Sequence, residues 1–252
     1  PAPISTVFPY TARFRSGERL SDLSRLTGAF LVGGITASRG ERPQFAGEAT
    51  GGDISGVLFS EAVPVVTGLS QGCLPIGPAH TITACDRHIA ITLDGRPALQ
   101  VLQEDLSQAQ RQDPMVLRRP LAAALPVGGV DRPDYMVRDF AGFDTERGLI
   151  GIHAALQPGQ AIFFCSRDAD SARRDLDRML GDLKRRAGSR PPRGAVYCSC
   201  LARGPNLFGP GSHELRQVQA ALGDVPLIGF FANGEIANAR LYTYTGVLTL
   251  FL

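Results

Sequence analysis

Apolar residues recur at helical spacing in two parts of the chain. The clearest case is 168–187, which ends before Gly188 and has an apolar face made of Ala172, Leu176, Met179, Leu180 and Leu183. A second stripe follows Pro97, a residue that suits the first turn of a helix. It consists of Ala98, Leu99, Val101, Leu102 and Leu106. Residues 212–222 are the third predicted helix.

Short apolar or alternating runs predict a larger number of strands. Two hairpins are expected, because turn residues separate 54–59 from 63–67 and 81–84 from 88–93. The other predicted strands are 28–35, 135–141, 149–155, 161–165, 195–201, 226–231 and 241–252. Two stretches rich in Gly and Pro, 69–78 and 114–133, are predicted to be loops, and the residues before Gly28 are a polar lead-in.

This pattern predicts the fold class. Strands outnumber helices and several neighbouring strands form hairpins, which favours an α+β fold with mixed or antiparallel sheets and helices packed on the outer faces. A doubly wound parallel sheet is less compatible with it. A weak internal repeat supports two related halves, since 28–40 followed by 55–63 resembles 194–204 followed by 245–251.

Composition narrows the functional classes. The 252 residues are 44% hydrophobic and 20% charged, as in ordinary soluble proteins, and a net charge of +2 gives no footprint for nucleic acid. No apolar run reaches the ~20 residues of a membrane span. Five cysteines without a CxxC pair favour reduced thiols. We therefore predict a cytoplasmic protein that has neither a nucleic-acid nor a membrane partner.

A carboxylate between two glycines is the leading candidate for a binding residue. Glu235 follows a predicted buried strand, and Gly229 and Gly234 allow a positive φ or close approach of the backbone. Glu235 would either bind a ligand or belong to a structural turn with a salt bridge to Arg240. Arg203 follows another buried strand and would either clamp a carboxylate or lie on the surface.

Two further chemistries stay open as alternatives. Residues 68–72 match the GxSxG pattern of a nucleophile elbow, but the prolines that follow exclude the helix it needs, so Ser70 or Cys73 as a nucleophile competes with a structural role. His80 and His213 lie beside loops, where either would reach a haem iron. No motif for a metal, a nucleotide or calcium is present.

Several stretches together resemble the FIST family of sensory domains. They are GAFLVGGITASRG (28–40), ISGVLFSEAVPVVTGLSQGCLPIGP (54–78), LDGRPALQVL (93–102), FFCSRD (163–168), CLARGPNLFG (200–209), GFFANGEI (229–236) and YTGVLTLF (244–251). Their order and spacing carry the resemblance, which extends from about residue 28 to the end.

The resemblance implies an intracellular, non-enzymatic module of signal transduction that binds a small ligand such as an amino acid. Some relatives bind haem and sense nitric oxide, which implies haem as the alternative ligand. Any signal would pass to a separate partner protein, or the module would act by changing its own assembly.

Family members carry a longer part before the GAFLVGG segment. The resemblance therefore implies a shortened FIST N-terminal region at 1–95 and a FIST C-terminal domain at 96–252, with a pocket near their joint. The residues predicted to bind the ligand are Gln71, Gly72, Cys73, Arg203, Asn233, Gly234 and Glu235.

Overall fold

The computed structural model describes residues 10–36, 44–46, 48–50, 54–127 and 134–252. The chain divides into two compact units, the first made of Pro1–Gln71 with Arg173–Leu252 and the second of Gly72–Ala172. The helices are α1 (Tyr10–Thr27), α2 (Ala98–Gln112), α3 (Ala169–Ala187), α4 (Gly204–Phe208) and α5 (His213–Leu222), with a 3-10 turn at Val116–Arg118.

The strands before α2 are β1 (Val32–Gly34), β2 (Gln44–Ala46), β3 (Glu48–Thr50), β4 (Val65–Ser70), β5 (Cys73–Pro75), β6 (His80–Asp86), β7 (Ile89–Leu93) and β8 (Arg96–Pro97). Those after it are β9 (Leu121–Val127), β10 (Asp134–Arg138), β11 (Phe140–Asp144), β12 (Leu149–Ile152), β13 (Ala161–Arg167), β14 (Gly194–Cys200), β15 (Leu227–Ala232), β16 (Glu235–Ala237), β17 (Arg240–Tyr242) and β18 (Gly246–Phe251).

The second unit is built on one antiparallel sheet. Its strands run in the order β10-β9-β13-β6-β7-β12-β11, and β5 and β8 pair at the side with β13 and β7. The apolar stripe of α2 is buried against this sheet, because Val101 and Leu102 belong to one core with Ile82, Ile150 and Phe164. The helical spacing of the sequence thus decides which face of α2 meets the sheet.

The first unit contains a mixed sheet in the order β15-β14-β18-β4, in which only β14 and β15 are parallel. Helix α3 covers one face of this sheet. A Cβ at Gly68 of β4 would come within 3.0 Å of both Met179 and Leu183, so the strand and the helix approach closely there. A small antiparallel sheet, β1-β16-β17, also belongs to this unit.

The predicted α+β class is confirmed, and so are the elements with the strongest periodicity. Helices α2 and α3 lie where apolar stripes predict them, and α5 lies where a helix is predicted. The hairpin of β6 and β7 turns at Arg87 and His88. The strands over 161–165, 195–201 and 226–231 are also found, within two residues of their predicted ends. Among the described residues, no helix is long and apolar enough to cross a membrane.

Several local predictions are wrong. Residues 54–59 form no strand, and 28–35 contains only the three residues of β1. The loop predicted over 69–78 contains the end of β4 and all of β5. The final strand predicted over 241–252 is broken into β17 and β18, because Tyr244 has φ of +64° and cannot continue an extended strand.

The loop predicted over 114–133 contains the 3-10 turn and β9, while 128–133 lie outside the described residues. Pro126 suggested a loop, but it lies beyond the part of β9 that pairs with β13, which ends at Ala124. The polar lead-in contains α1. The two stretches that suggested an internal repeat differ in structure. The second contains β14 and β18, whereas the described residues of the first contain only the short β1. The division at residues 95 and 96 stays a prediction.

A buried histidine links three elements of the second unit. The Nδ1 atom of His80 lies 2.7 Å from Oδ2 of Asp94, and its Nε2 atom lies 2.9 Å from Oδ2 of Asp105. Burial lowers the pKa of His80, but the hydrogen bonds to Asp105 and Asp94 and their charges outweigh it and raise the pKa above 6.5. The imidazolium form therefore stabilises the contact of α2 with β6.

We expect the stability of this unit to depend on pH through His80. Because the folded-state pKa is raised, the contribution is complete below the usual pKa of 6.5 and is lost as pH rises through the folded value. His80→Gln should lower the free energy of unfolding by about 1–3 kcal/mol in mild acid and by less in alkali. Urea unfolding against pH measures this, with exposed His213→Gln as control, and a loss independent of pH would contradict it.

Candidate functional site

Glu235 begins a short strand directly after a tight turn. Asn233 and Gly234 form the turn, and Glu235 then opens β16 opposite Gly34 of β1. Gly234 has φ of +131°, and a Cβ there would come within 2.9 Å of Leu241. The predicted need for glycine at 234 is confirmed on both grounds.

The carboxylate of Glu235 is fully buried and only half satisfied. Its Oε2 atom accepts hydrogen bonds from the backbone N–H of Thr245 (3.2 Å) and from Thr245 Oγ1 (2.8 Å). Its Oε1 atom has no hydrogen-bond partner among the residues that the structure describes. The expected alternative, a salt bridge between Glu235 and Arg240, is not found among the ion pairs of the described residues. A buried oxygen without a donor is costly, so its presence needs an explanation.

Burial raises the pKa of Glu235 to about 7. The hydrogen bonds from Thr245, the hydrogen bond from the Cys200 thiol and the charge of Arg203 lower the pKa, but they offset only part of this effect. The carboxyl group therefore keeps its proton to a higher pH than an exposed glutamate does. Two thiols of β14 lie in the same environment. Burial and the Glu235 charge raise the pKa of both Cys198 and Cys200 to about 11, which keeps them protonated and weakly nucleophilic.

The backbone beside Glu235 is strained. Tyr244 holds φ of +64°, a conformation that costs a non-glycine residue about 1–3 kcal/mol. Its neighbours fix it in place, because Nη1 of Arg203 donates to the Tyr244 carbonyl (3.4 Å) and the Cys200 N–H donates to the Thr245 carbonyl (2.9 Å). The strained residue thus positions the two donors that bind Glu235.

A second buried carboxylate, Glu214 at the start of α5, is fully satisfied. It accepts hydrogen bonds from Arg203 Nε (2.7 Å), the Tyr197 hydroxyl (2.7 Å), the Ser199 hydroxyl (3.0 Å) and the Gly204 N–H (3.4 Å). Burial raises the pKa of Tyr197 well above its usual range, so its hydroxyl stays a donor. The network joins β14 to α4 and α5 through side chains.

Arg203 is fully buried at the centre of this network. Besides Glu214, its guanidinium contacts the backbone carbonyl and the Oγ atom of Ser70 (3.5 and 3.2 Å), and it lies 5.0 Å from the centre of the Phe208 ring. Arg203 is therefore not a surface residue. The prediction that it clamps a ligand carboxylate stays a prediction, and such a role would require it to share its donors with the protein.

The residues predicted from the first loop divide between the two units. The Gln71 N–H donates to Asp175 (2.6 Å) in the first unit, whereas Gly72 and Cys73 belong to the second. Cys73 is buried in β5, opposite Arg167 of β13. Ser70 ends β4 and is followed by β5, so the helix of a nucleophile elbow is not formed there.

The two histidines of the haem alternative, His80 and His213, have different surroundings. Both ring nitrogens of His80 contact carboxylates, so an iron there would have to displace one of them. His213 is exposed at the start of α5. Across the described residues, no group of three or more His, Cys, Asp or Glu side chains is arranged to hold a metal ion.

Sequence reasoning brought together Arg203 and Glu235, which share the first unit and interact through charge. It missed Thr245, Glu214, Tyr197 and Ser199. The residue types gave no signal for these, because a Thr just before a strand, a Tyr and a Ser within a strand and a Glu in a helix are ordinary choices. Only the pairing of β14 with β18 places Thr245 beside the end of β14.

Comparison with known proteins identifies two matching family descriptions. The FIST N domain matches residues 7–96, and the FIST C domain matches residues 98–238. An uncharacterized protein of Mycobacterium tuberculosis is 30% identical over 239 residues, covering 90% of this chain and 62% of the relative. One of Mycobacterium bovis is 32% identical over 243 residues, covering 90% and 61%. The chain therefore spans less than two thirds of the length of these relatives.

Removing the Arg203 guanidinium should leave the buried Glu214 carboxylate without its cation and so lower the stability of the protein. We expect Arg203→Met to lower the free energy of unfolding by about 3–5 kcal/mol, because an uncompensated carboxylate stays buried. Adding Glu214→Gln to this variant should recover part of the loss. Urea unfolding measures both, with Arg240→Met as the control, and a loss no larger than that of the control would contradict the network.

Glu235→Gln should change stability in the opposite direction. The folded-state pKa of about 7 lies above the usual 4.5, so wild-type stability falls as pH rises between these values. Glutamine keeps an acceptor for Thr245 but carries no charge. We expect the variant to be more stable than wild type by about 2–3 kcal/mol in mild alkali and equal to it near the usual pKa. Thermal unfolding measures this, and a variant less stable than wild type in alkali would refute it.

Proposed function

This chain belongs to the FIST family, and on that premise we propose that it is a small-ligand-binding sensory module of signal transduction. The two family descriptions together extend from residue 7 to residue 238. The ligand that we propose is an amino acid or a similar metabolite that carries an ammonium group. Glu235 is its principal contact.

The Oε1 atom of Glu235, which has no hydrogen-bond partner in the part of the chain that the structure describes, carries this proposal. A buried polar atom without a partner costs about 1–3 kcal/mol, and proteins retain such groups where they serve a function. An ammonium group brings both a donor for this oxygen and a positive charge. Its binding would convert the carboxyl group to the charged form and remove the penalty of burial.

The turn before Glu235 provides the route and the remaining contacts in this proposal. Asn233 is exposed and Gly234 is buried beside it, so the turn connects the surface with the carboxylate. The backbone of Gly234 would approach the ligand closely, and Arg203 would face its carboxylate. Gln71, which belongs to the same unit as Glu235, would complete the site.

Binding would be transmitted through groups already bonded to Glu235. Charging its carboxylate strengthens both hydrogen bonds from Thr245, whose carbonyl is bonded to Cys200 at the end of β14. The strained Tyr244 lies between these contacts, so a small shift of Thr245 would be accompanied by a change in the backbone conformation of Tyr244. The change would be read by a separate signalling protein.

We propose binding without catalysis. The thiols of Cys198 and Cys200 have raised pKa values, and the Ser70 hydroxyl contacts Arg203 and no histidine among the described residues. All five cysteines are unpaired, which supports a reducing compartment such as the cytoplasm.

Calorimetry with a panel of L-amino acids tests the proposal. We expect at least one to bind wild type, and Glu235→Gln to weaken that affinity roughly tenfold or more through loss of a charge-assisted hydrogen bond. Glu61→Gln, at an exposed position of the same unit, is the matched control and should bind as wild type. Binding that is unchanged in Glu235→Gln, or no binding by any amino acid, would overturn the assignment.

A further inference from the structure

An apolar strand lies open at one edge of the mixed sheet. Among the residues that the structure describes, β15 pairs only with β14, so the backbone groups of its outer side are available to another strand. The strand has the sequence LIGFFA, with neither a charge nor a proline. Ile228 is 73% exposed, Phe230 45% and Phe231 47%.

Proteins commonly protect such an edge. Lysine, proline, a bulge or a covering loop keeps an exposed strand from pairing with other chains, because unpaired backbone groups beside apolar side chains form a template for association. β15 has no lysine or proline, and its register with β14 is regular over six pairs. An unprotected apolar edge of this kind is typical of an interaction surface.

We propose that β15 pairs antiparallel with β15 of a second copy of this chain, joining the two mixed sheets into one. The sequence of the strand is self-complementary about Gly229. A two-fold axis through that residue sets Ile228 opposite the second copy's Phe230 on one face, and Leu227 opposite its Phe231 on the other. Each aliphatic residue then meets an aromatic one, a favourable cross-strand pair.

Gly229 fits the centre of this pairing. A Cβ at this position would overlap the Tyr197 carbonyl of β14, so the strand can carry no side chain there. On the axis, the two glycines leave room for the four large side chains that flank them. The close approach of β15 to β14 therefore requires glycine at position 229, and the same glycine is the centre of symmetry of the proposed strand pair.

The exposed apolar area sets the expected strength. Two half-exposed phenylalanines and Ile228 offer on the order of 300 Å² per copy. A standard interface buries about 800 Å² on each partner, so the strand pair is a small interface supported by backbone hydrogen bonds. We expect a dissociation constant on the order of micromolar.

Sedimentation velocity of the whole chain, from about 1 to 100 µM, tests the proposal. Wild type should shift from monomer to dimer across this range. Ile228→Lys places a charge on the edge and should stay monomeric throughout, with an unchanged circular dichroism spectrum. Val57→Lys, at a residue 77% exposed outside β15, is the matched control and should dimerise as wild type.

Cysteine cross-linking tests the register. A mixture of chains carrying Ile228→Cys with chains carrying Phe230→Cys should form disulfide-linked dimers on mild oxidation, while either variant alone should form few, because the axis sets these two positions opposite each other. A wild type that stays monomeric, an Ile228→Lys variant that still dimerises, or equal cross-linking in all three samples would overturn the proposal.

Discussion

The buried ion pair of Arg203 and Glu214 is the interaction on which the first unit depends. Four donors meet the Glu214 carboxylate, and the guanidinium continues to Ser70 of β4 and to the Tyr244 carbonyl. A buried pair is tolerated only when its geometry is good and its remaining hydrogen-bonding groups are satisfied. By meeting this condition, the pair fixes the end of β14 against β4 and the backbone that carries Thr245.

Glu235 differs from Glu214 in the same unit. The Glu214 carboxylate has four donors. The Glu235 carboxylate accepts two hydrogen bonds from Thr245 on Oε2 and interacts with the Cys200 thiol, but its Oε1 atom has no partner among the described residues. Strain at Tyr244 lies beside the unsatisfied group. Loss of local stability at one place within a well-satisfied network is typical of a binding site, because the missing contact is supplied by the ligand.

Periodicity in the sequence predicted the elements whose apolar face meets a single neighbour. α2 and α3 have such a stripe, and the hairpin of β6 and β7 alternates. β9 was not predicted, because the prolines of 114–133 together with Gly128 and Gly129 suggested a loop, and only its pairing with β13 and β10 shows a strand. At the site, Glu235 and its glycines were visible, since their residue types are unusual there. Glu214 and Thr245 were not, because their roles depend on contacts between distant parts of the chain.

The ionisation of Glu235 tests this account most directly. The carboxyl carbon can be followed by NMR against pH in chains labelled with ¹³C at glutamate, and Glu235→Gln assigns its signal. We expect Glu235 to have a pKa of about 7 in the free protein. We expect this pKa to fall below the usual 4.5 once an amino acid that binds is present, because an ammonium group favours the charged carboxylate. A pKa near 4.5 in the free protein, or one that the bound amino acid leaves unchanged, would contradict it.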